Sequence, residues 1–236
     1  MSENFLKRTI TSLILLAIFL IVNYSHHFVF ILSITMIGTI VCVEANKIFS
    51  KLVGPSLTKY KKKDRIVEKF NFKFLLINIV IIYYIFFIFC HYSYDIHRIE
   101  GPTFFLYVIS ICFLTDIGGY IFGKIIGGRK LTKISPNKTI SGTIGSFIFC
   151  LFSLVVFSNL SNFDLEFTLE NTMFVLLVSL ISQLGDLFIS YLKRKAKVKD
   201  TGYILPGHGG ILDRIDGILL AIPLGMAIWQ FLIVII

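Results

Sequence analysis

The chain has 236 residues, of which 56 % are hydrophobic and only 16 % are charged, whereas soluble globular proteins carry about 25 % charged residues. These figures exclude soluble, disordered, collagen-like and disulfide-scaffold proteins, because so apolar a chain cannot cover itself with polar surface. The formal net charge of +9 would suggest nucleic acid in a soluble protein, but here it reflects topology and no nucleic-acid partner is expected. The composition predicts an all-α, polytopic transmembrane helical bundle.

Seven long apolar segments follow one another along the chain, each near the ~20 residues that a bilayer span needs. They cover about residues 9–23, 28–45, 72–90, 103–123, 139–158, 172–192 and 215–236. The first is short and follows Lys7 and Arg8, as in a signal peptide, but no small-x-small cleavage site comes after it. We therefore expect about seven spans, the first of them uncleaved.

The basic residues indicate how these spans are oriented. With the N-terminus inside, the inside segments are 1–8, 46–71, 124–138 and 193–214. Together with the adjoining Lys73 they hold 22 of the 23 Lys and Arg residues, and only Arg98 lies outside. This distribution predicts a cell-membrane protein with a cytoplasmic N-terminus, cytoplasmic active-site loops, an external C-terminus and short external connections at 91–102 and 159–171. The basic run 59–63 is a topology signal that also attracts anionic lipid headgroups.

Acidic residues in or beside the apolar spans are functional candidates, because a charge in a membrane is costly. Asp116 and Asp186 lie within spans, and Asp213 and Asp216 stand three residues apart where the last span begins. This spacing places both carboxylates on one helix face, where a divalent cation would relieve their repulsion. Helix capping explains one of the two but not the pair together with Asp186, so metal binding is favoured. Glu44, near the end of the second span, is a further functional candidate, but a position at the membrane interface is favoured.

A polar stripe runs along the sixth apolar segment. Its members are Ser179, Gln183, Asp186 and Ser190, whose spacings of 4, 3 and 4 place them on one helical face. Serine and glutamine in this position can simply join neighbouring helices by hydrogen bonds. The aspartate at the centre favours a hydrated cavity or a cation site.

The segment 193–216 combines cations, flexible backbone and carboxylates. It opens with five basic residues, continues through a P-G-H-G-G turn and closes with D-R-x-D. Glycine amides can approach an anion closely, Lys and Arg neutralise phosphate oxygens, and carboxylates hold a metal. A loop that follows the positive-inside rule explains the lysines, but it requires neither P-G-H-G-G nor D-R-x-D. A polyphosphate–Mg²⁺ site is therefore predicted. Its candidate residues are Lys193, Arg194, Lys199, Asp200, His208, Gly209, Gly210 and Arg214.

The sequence Gly118-x-x-x-x-Gly123-Lys124 superficially matches a Walker A loop. Ile125 stands where that loop needs Ser or Thr, and no strand precedes it, so a P-loop is rejected. Gly119 and Gly123 are four residues apart, which allows close helix packing. That packing accounts for the glycines but leaves the nearby aspartate of the same span unexplained.

The sequence S-P-N-K-T at 135–139 is typical of a loop that leads into a helix. The N-terminus of that helix is a candidate site for phosphate. Lys124 and Lys138 flank the loop and are candidate substrate contacts. Each of them is individually better explained as a topology signal.

Two segments resemble the signature of the phosphatidate cytidylyltransferase (CDP-diacylglycerol synthase) family. The first is S-x-x-K-R-x₄-K-D-x-G-x₃-P-G-H-G-G-x-x-D-R-x-D at 190–216, and the second is T-D-x-G-x-Y-x-F-G-K…G-x-x-K-L…I-S-P-x-K-T…G at 115–142. The sequence G-D-L at 185–187 matches a further piece, so the resemblance covers about half of the chain in the order of the family. One departure is Ser141, which stands where family members usually have Glu.

The resemblance implies a nucleotidyltransferase that makes CDP-diacylglycerol and pyrophosphate from CTP and phosphatidate for phospholipid biosynthesis. It implies Mg²⁺ as the cofactor, K⁺ as a second candidate ion, and a homodimer. The acidic metal site of the family corresponds to Asp186, Asp213 and Asp216, which are the expected catalytic and metal-binding residues. Residues 101–236 would form the catalytic transmembrane region, after N-terminal helices at 1–100. The expected substrate contacts outside the 193–216 segment are Asp116, Lys124, Lys138 and Ser190.

Two other functions compete with this interpretation. An ion-coupled transporter would use Asp116 and Asp186 as ion or proton sites, but no repeat pair is visible and the glycine–lysine loop would have no task. A CTP-dependent kinase acting on a polyprenol-type lipid would transfer the γ-phosphate instead. That reaction releases CDP rather than pyrophosphate, so product analysis separates the two enzymes.

Overall fold

The computed structural model describes residues 3–54, 57–62, 65–132, 135–160, 167–205 and 209–235. In these ranges the chain forms a helical bundle with one short antiparallel hairpin, whose strands are β1 (Leu57–Lys62) and β2 (Arg65–Phe70). The hairpin joins the second and third helices. The helices are α1 (Glu3–Asn23), α2 (His27–Val53), α3 (Phe72–Glu100), α4 (Pro102–Ile125), α5 (Ile140–Ser158), α6 (Leu169–Lys195), α7 (Leu212–Ile215) and α8 (Ile218–Ile235).

Six helical segments of the described chain are long and apolar enough to cross a membrane. They are α2, α3, α4, α5, α6 and the unit Leu212–Leu232, in which α7 leads into α8. The predicted first span corresponds to α1, whose apolar stretch Ile10–Asn23 is shorter. The predicted multi-pass helical membrane protein is confirmed, with the small hairpin as an addition that the sequence did not reveal.

The segment expected to form the external connection at 91–102 is helical up to Glu100, and its external position stays a prediction. Helix α3 continues to Glu100 through π-helical turns at Tyr84–Cys90 and Ile96–Glu100. Its polar residues resemble a loop in the sequence, but several are satisfied inside the protein. Ser93 donates to the carbonyl of Phe89 at 2.7 Å, and the ring of the buried His97 lies 2.7 Å from the carbonyl oxygen of Asn23.

An aromatic core holds three of the long helices together. Phe104 and Tyr107 of α4 and Phe174 of α6 are fully buried. Trp229 of α8 packs on two of them, with ring centroids 4.7 Å from Phe104 and 5.2 Å from Phe174. Such pairs contribute about 0.5–1.5 kcal/mol each beyond the area they bury. This packing fixes the positions of α4, α6 and α8, the helices that carry or adjoin the predicted acidic residues.

Small residues bring α4 and α5 close together, as predicted for Gly119 and Gly123. A Cβ atom on Gly119 would lie 2.7 Å from Oγ of Ser146, and one on Gly123 would lie 3.1 Å from Oγ1 of Thr139. Larger side chains would therefore force the two helices apart. The close approach brings Asp116 of α4 to the same cavity as the loop that precedes α5.

Candidate functional site

A cavity of about 280 Å³ lies between α4, α5, α6 and the loop that precedes α5. Its walls include Asp116 from α4, Lys138 and Thr139 from the loop, and Gln183 and Asp186 from α6. Residues from segment 115–142 and from the predicted polar stripe therefore meet at one place. The cavity offers carboxylates, a cation and hydroxyl groups within an otherwise apolar bundle.

Backbone hydrogen bonds shape the loop that carries Lys138. The amide of Leu131 donates to the carbonyl of Lys138 at 2.8 Å, and the amide of Ile140 donates to that of Arg129 at 3.0 Å. Thr139 then caps α5, because its Oγ1 accepts the amide of Gly142 at 3.1 Å. This arrangement lets the ammonium of Lys138 form an ion pair with Asp186 across the cavity.

The polar stripe of α6 divides into two parts. Ser179 joins two helices, since Oγ1 of Thr115 on α4 donates to it at 2.8 Å, and Nε2 of Gln183 donates to the same Ser179 within α6 at 3.4 Å. The lower members of the stripe face the ion-pair side, where Ser190 donates to Oδ1 of Asp186 at 3.2 Å. Both interpretations of the stripe therefore apply, each to different residues.

Glycines bring the last span against α6 beside Asp186. A Cβ atom on Gly185 would lie 2.8 Å from the carbonyl oxygen of Asp216, and one on Gly217 would lie 2.5 Å from Oγ of Ser182. The two backbones thus touch where α7 leads into α8. Asp216 is fixed there by the amide of Gly217, which donates to its Oδ1 at 2.9 Å.

Asp116, Asp186 and Asp216 form what we call the acidic cluster. Their carboxylates are close enough for the charges of Asp116 and Asp216 to interact with each other and with that of Asp186. Lys138 and Arg214 also act on Asp116, although Asp186 alone of the three carboxylates makes a direct described ion pair. Like charges in a partly dehydrated site repel each other unless cations neutralise them. The cluster is therefore suited to a positively charged partner.

Asp213 occupies a different environment, and its side chain is only 8 % exposed. Its Oδ1 accepts from Nζ of Lys193 at 2.7 Å, while its Oδ2 accepts from the amides of Thr201 at 2.8 Å and Gly210 at 3.0 Å. Both oxygens are thus occupied by protein donors. The side chain of Asp213 thus anchors the loop between α6 and α7, as Glu44 also does.

The donor chemistry of the acidic cluster fits Mg²⁺, which prefers oxygen ligands. Among the residues that the structure describes, no three His, Cys, Asp or Glu side chains are arranged to hold a metal ion by themselves. Mg²⁺ in phosphate-transferring sites usually needs only one or two carboxylates, with substrate phosphates as further ligands. Asp186 and Asp216 are the candidate pair of carboxylates for such a site. The set of Asp186, Asp213 and Asp216 stays a prediction.

Residues 51–232 match the model of the cytidylyltransferase family. This chain belongs to the cytidylyltransferase family. Curated relatives named phosphatidate cytidylyltransferase include those of Staphylococcus haemolyticus (strain JCSC1435), 45 % identical over 128 residues, Staphylococcus aureus (strain COL), 48 % over 131, and Bacillus subtilis (strain 168), 40 % over 136. These matches cover 54 % to 56 % of this chain and 49 % to 50 % of the relatives. The chain thus spans about half the length of the curated relatives it matches.

In this cytidylyltransferase the other charged candidates lie at the surface of the described chain. Lys124 is exposed and lies 3.5 Å from the hydroxyl of Tyr120 and 5.6 Å from the centre of its ring. Three further exposed candidates are Arg194, Lys199 and Asp200. The structure thus brings Lys138 and Ser190 to the acidic cluster. For the other four candidates it describes no direct contact with the cluster.

Of the P-G-H-G-G turn, the structure describes Gly209 and Gly210. His208 lies outside the described residues. Gly209 has a φ of 81°, a left-handed conformation that favours glycine. The amide of Gly210, a candidate for phosphate binding, donates instead to Asp213. This part of the turn is therefore held by the protein itself.

Ser141, the departure from the usual family pattern, takes part in the loop before α5. Its hydroxyl donates to the carbonyl of Gly127, and its Oγ lies 3.0 Å from Oγ1 of Thr139. The side chain thus connects the end of α4 to the cap of α5. A structural contact thus occupies the position where the resemblance led us to expect Glu.

Glu44 is the acid whose partners the sequence did not reveal. It is fully buried inside the protein and accepts hydrogen bonds from Thr201 and Leu212. Its position at the membrane interface stays a prediction. The relevant signal was a charged residue within a predicted apolar span. Its partners were hidden because they lie 157 to 168 residues away in the sequence.

Proposed function

We propose that this protein transfers the cytidylyl group of CTP to phosphatidate, giving CDP-diacylglycerol and pyrophosphate. Relatives 40 % to 48 % identical carry the name phosphatidate cytidylyltransferase, which supports this substrate pair. The observation that carries the proposal is the acidic cluster beside Lys138, in a cavity between membrane helices. A charged nucleotide and a membrane lipid require such a combination of polar site and apolar surroundings.

The chemistry requires positioning more than proton transfer. The phosphate of phosphatidate is already anionic at neutral pH, so its oxygen attacks the α-phosphorus of CTP without a general base. A new P–O bond forms, and the bond between the α-phosphorus and the oxygen bridging to the β-phosphorus breaks. Pyrophosphate leaves with that oxygen. Neutralising and aligning the two polyanions therefore supplies most of the catalysis.

The residues of the cavity divide this work. Lys138 neutralises phosphate oxygens once substrate competes with Asp186 for its ammonium. The N-terminus of α5, capped by Thr139, presents backbone amides and a positive dipole end to phosphate. Asp186 and Asp216 would hold Mg²⁺ together with substrate phosphates. Bound Mg²⁺ would supply charge neutralisation for the departing pyrophosphate.

The membrane location follows from the lipid substrate. The acyl tails of phosphatidate stay in the bilayer, while its headgroup meets CTP at the cytoplasmic side. The distribution of basic residues supports this orientation, with the N-terminus and the loops 124–138 and 193–214 in the cytoplasm. Residues 101–236 would form the catalytic region. A homodimer and a role for K⁺ rest on the resemblance alone.

The purified full chain in lipid nanodiscs tests the reaction directly. CTP labelled at the α-phosphorus, phosphatidate and Mg²⁺ should give chloroform-soluble label and an equal amount of pyrophosphate, and a chelator should stop both. A polyprenol-type kinase would instead place label from the γ-phosphorus in lipid and release CDP. Failure to transfer the α-label in the complete reaction would contradict the proposal.

A further inference from the structure

Glu44 lies outside the part of the chain that matches the family model, which begins at residue 51. It belongs to α2, within the N-terminal region, yet its side chain is 0 % exposed. Burying a carboxylate inside a membrane protein costs several kcal/mol unless strong hydrogen bonds stabilise it. Such a residue needs a specific set of partners.

The described partners of Glu44 come from the loop between α6 and α7 and from the first residue of α7. Oε1 accepts the amide of Ile211 at 3.2 Å, and Oε2 accepts the amide of Leu212 at 2.8 Å. The hydroxyl of Thr201 lies 3.0 Å from the same Oε2. One side chain of α2 therefore holds both ends of the segment 201–212.

The loop is shaped to receive this carboxylate. A Cβ atom on Gly202 or on Gly210 would overlap the carboxylate oxygens of Glu44. Two glycines thus leave the space that Glu44 fills. The fit is mutual, because the same loop supplies the donors and the space.

The contact extends from Glu44 toward the acidic cluster. The hydroxyl of Thr201 lies 3.0 Å from Oε2 of Glu44 and 3.0 Å from Oδ2 of Asp213. Asp213 in turn holds Lys193, and it precedes Asp216 by three residues. A displacement of the loop would therefore move Asp216 relative to Asp186.

We infer that Glu44 is a positioning residue, which holds the loop 201–212 so that Asp216 stands beside Asp186. It acts through Thr201, Ile211 and Leu212 and does not touch the reacting atoms. The N-terminal helices thereby contribute one residue to the arrangement of the catalytic region. The kinetic part of this inference rests on the proposed function.

Glu44→Gln provides the test, since glutamine fills the same volume but offers one acceptor oxygen and turns an NH₂ group toward backbone donors. We expect kcat per folded enzyme to fall on the order of 100-fold, with a much smaller change in the KM for CTP. Amide hydrogen exchange at 201–212 should become about tenfold faster. A role in filling space alone would leave both quantities unchanged. Glu170→Gln, the same change at an exposed position of α6, is the matched control.

A double-mutant cycle keeps the inference testable if Glu44→Gln unfolds. Gly202→Ala alone should speed exchange at 201–212, because its methyl group meets the Glu44 carboxylate. In a Glu44→Asp background, where the carboxylate is one methylene shorter, Gly202→Ala should accelerate amide exchange at least about tenfold less. Additive effects would contradict the direct contact.

These experiments distinguish a failure of this inference from a failure of the proposed function. Hydrogen exchange and the cycle need no substrate, so an inactive wild-type enzyme would contradict the proposed function and leave the positioning contact supported by faster exchange. Unchanged exchange in Glu44→Gln would overturn the inference, whether or not activity falls. A kcat within about twofold of the wild type would overturn its kinetic part, since Glu44 would then hold nothing that the reaction needs.

Discussion

Two groups of acids lie near each other and differ in how their oxygens are used. In the acidic cluster, Asp186 pairs with Lys138 beside the cavity, and Asp116 and Asp216 add further like charge. In the second group, which we call the loop cluster, Glu44 and Asp213 accept donors with all four oxygens. We propose that the first group receives a cation, whereas the second holds a loop. Asp213 and Asp216 are three residues apart, so spacing alone did not separate these roles.

The largest effect is expected from Asp186→Asn and Asp216→Asn. Each should lower turnover by about 1,000-fold, because charge stabilisation at the transferring phosphate is lost. Asp216→Asn should not lower the thermal unfolding temperature, because the change relieves like-charge repulsion in the cluster. Asp186→Asn should lower it only slightly, because the Lys138 that loses its partner is partly exposed. Initial rates and thermal unfolding of nanodisc-embedded protein measure the two quantities. Near-normal turnover in both variants would contradict the assignment of the acidic cluster.

Asp213→Asn should behave differently from Asp216→Asn. It should also reduce turnover, by roughly 100-fold, because the loop and Lys193 lose their anchor. It should in addition destabilise the protein by about 3–5 kcal/mol, since a buried cation loses its partner. Thermal unfolding alongside Asp216→Asn, the matched aspartate in the same motif, provides the comparison. Equal stability of the two variants would remove the distinction between the clusters.

Lys138→Met should raise the KM for CTP by about tenfold, as expected for the loss of one charge-assisted hydrogen bond to phosphate. Lys124→Met, at an exposed position on the same inside segment, is the control. Steady-state kinetics with varied CTP measure the change. A larger effect of Lys124→Met would indicate that the phosphate contact lies outside the cavity.

Lys193→Ala should have the smallest kinetic effect, weaker than any of the aspartate changes. Lys193 pairs with Asp213, which keeps its backbone donors when the ammonium is removed, and the charge of Lys193 also acts on Asp216. The double variant Lys193→Met with Asp213→Asn should recover part of the stability lost in Asp213→Asn, because no unpaired buried charge is left. If Lys193→Ala lowered turnover more than Asp216→Asn does, the roles given to Lys193 and Asp216 would have to be exchanged.

Local sequence patterns revealed most of the membrane helices because hydropathy depends on neighbouring residues. The same patterns placed Asp116, Asp186 and Asp216 among the candidates, since charge within apolar runs is visible without a structure. They missed the helical extension to Glu100, where polar residues find partners inside the bundle. They also missed the partners of Glu44, which are set by packing between distant parts of the chain.

Binding of Mn²⁺, which takes the same oxygen ligands as Mg²⁺, tests the division between the clusters most directly. Electron paramagnetic resonance with CTP present would report the bound ion in wild type, Asp216→Asn and Asp213→Asn. We predict CTP-dependent Mn²⁺ binding that is lost in Asp216→Asn and retained in folded Asp213→Asn. Retention in Asp216→Asn together with loss in Asp213→Asn would contradict this prediction.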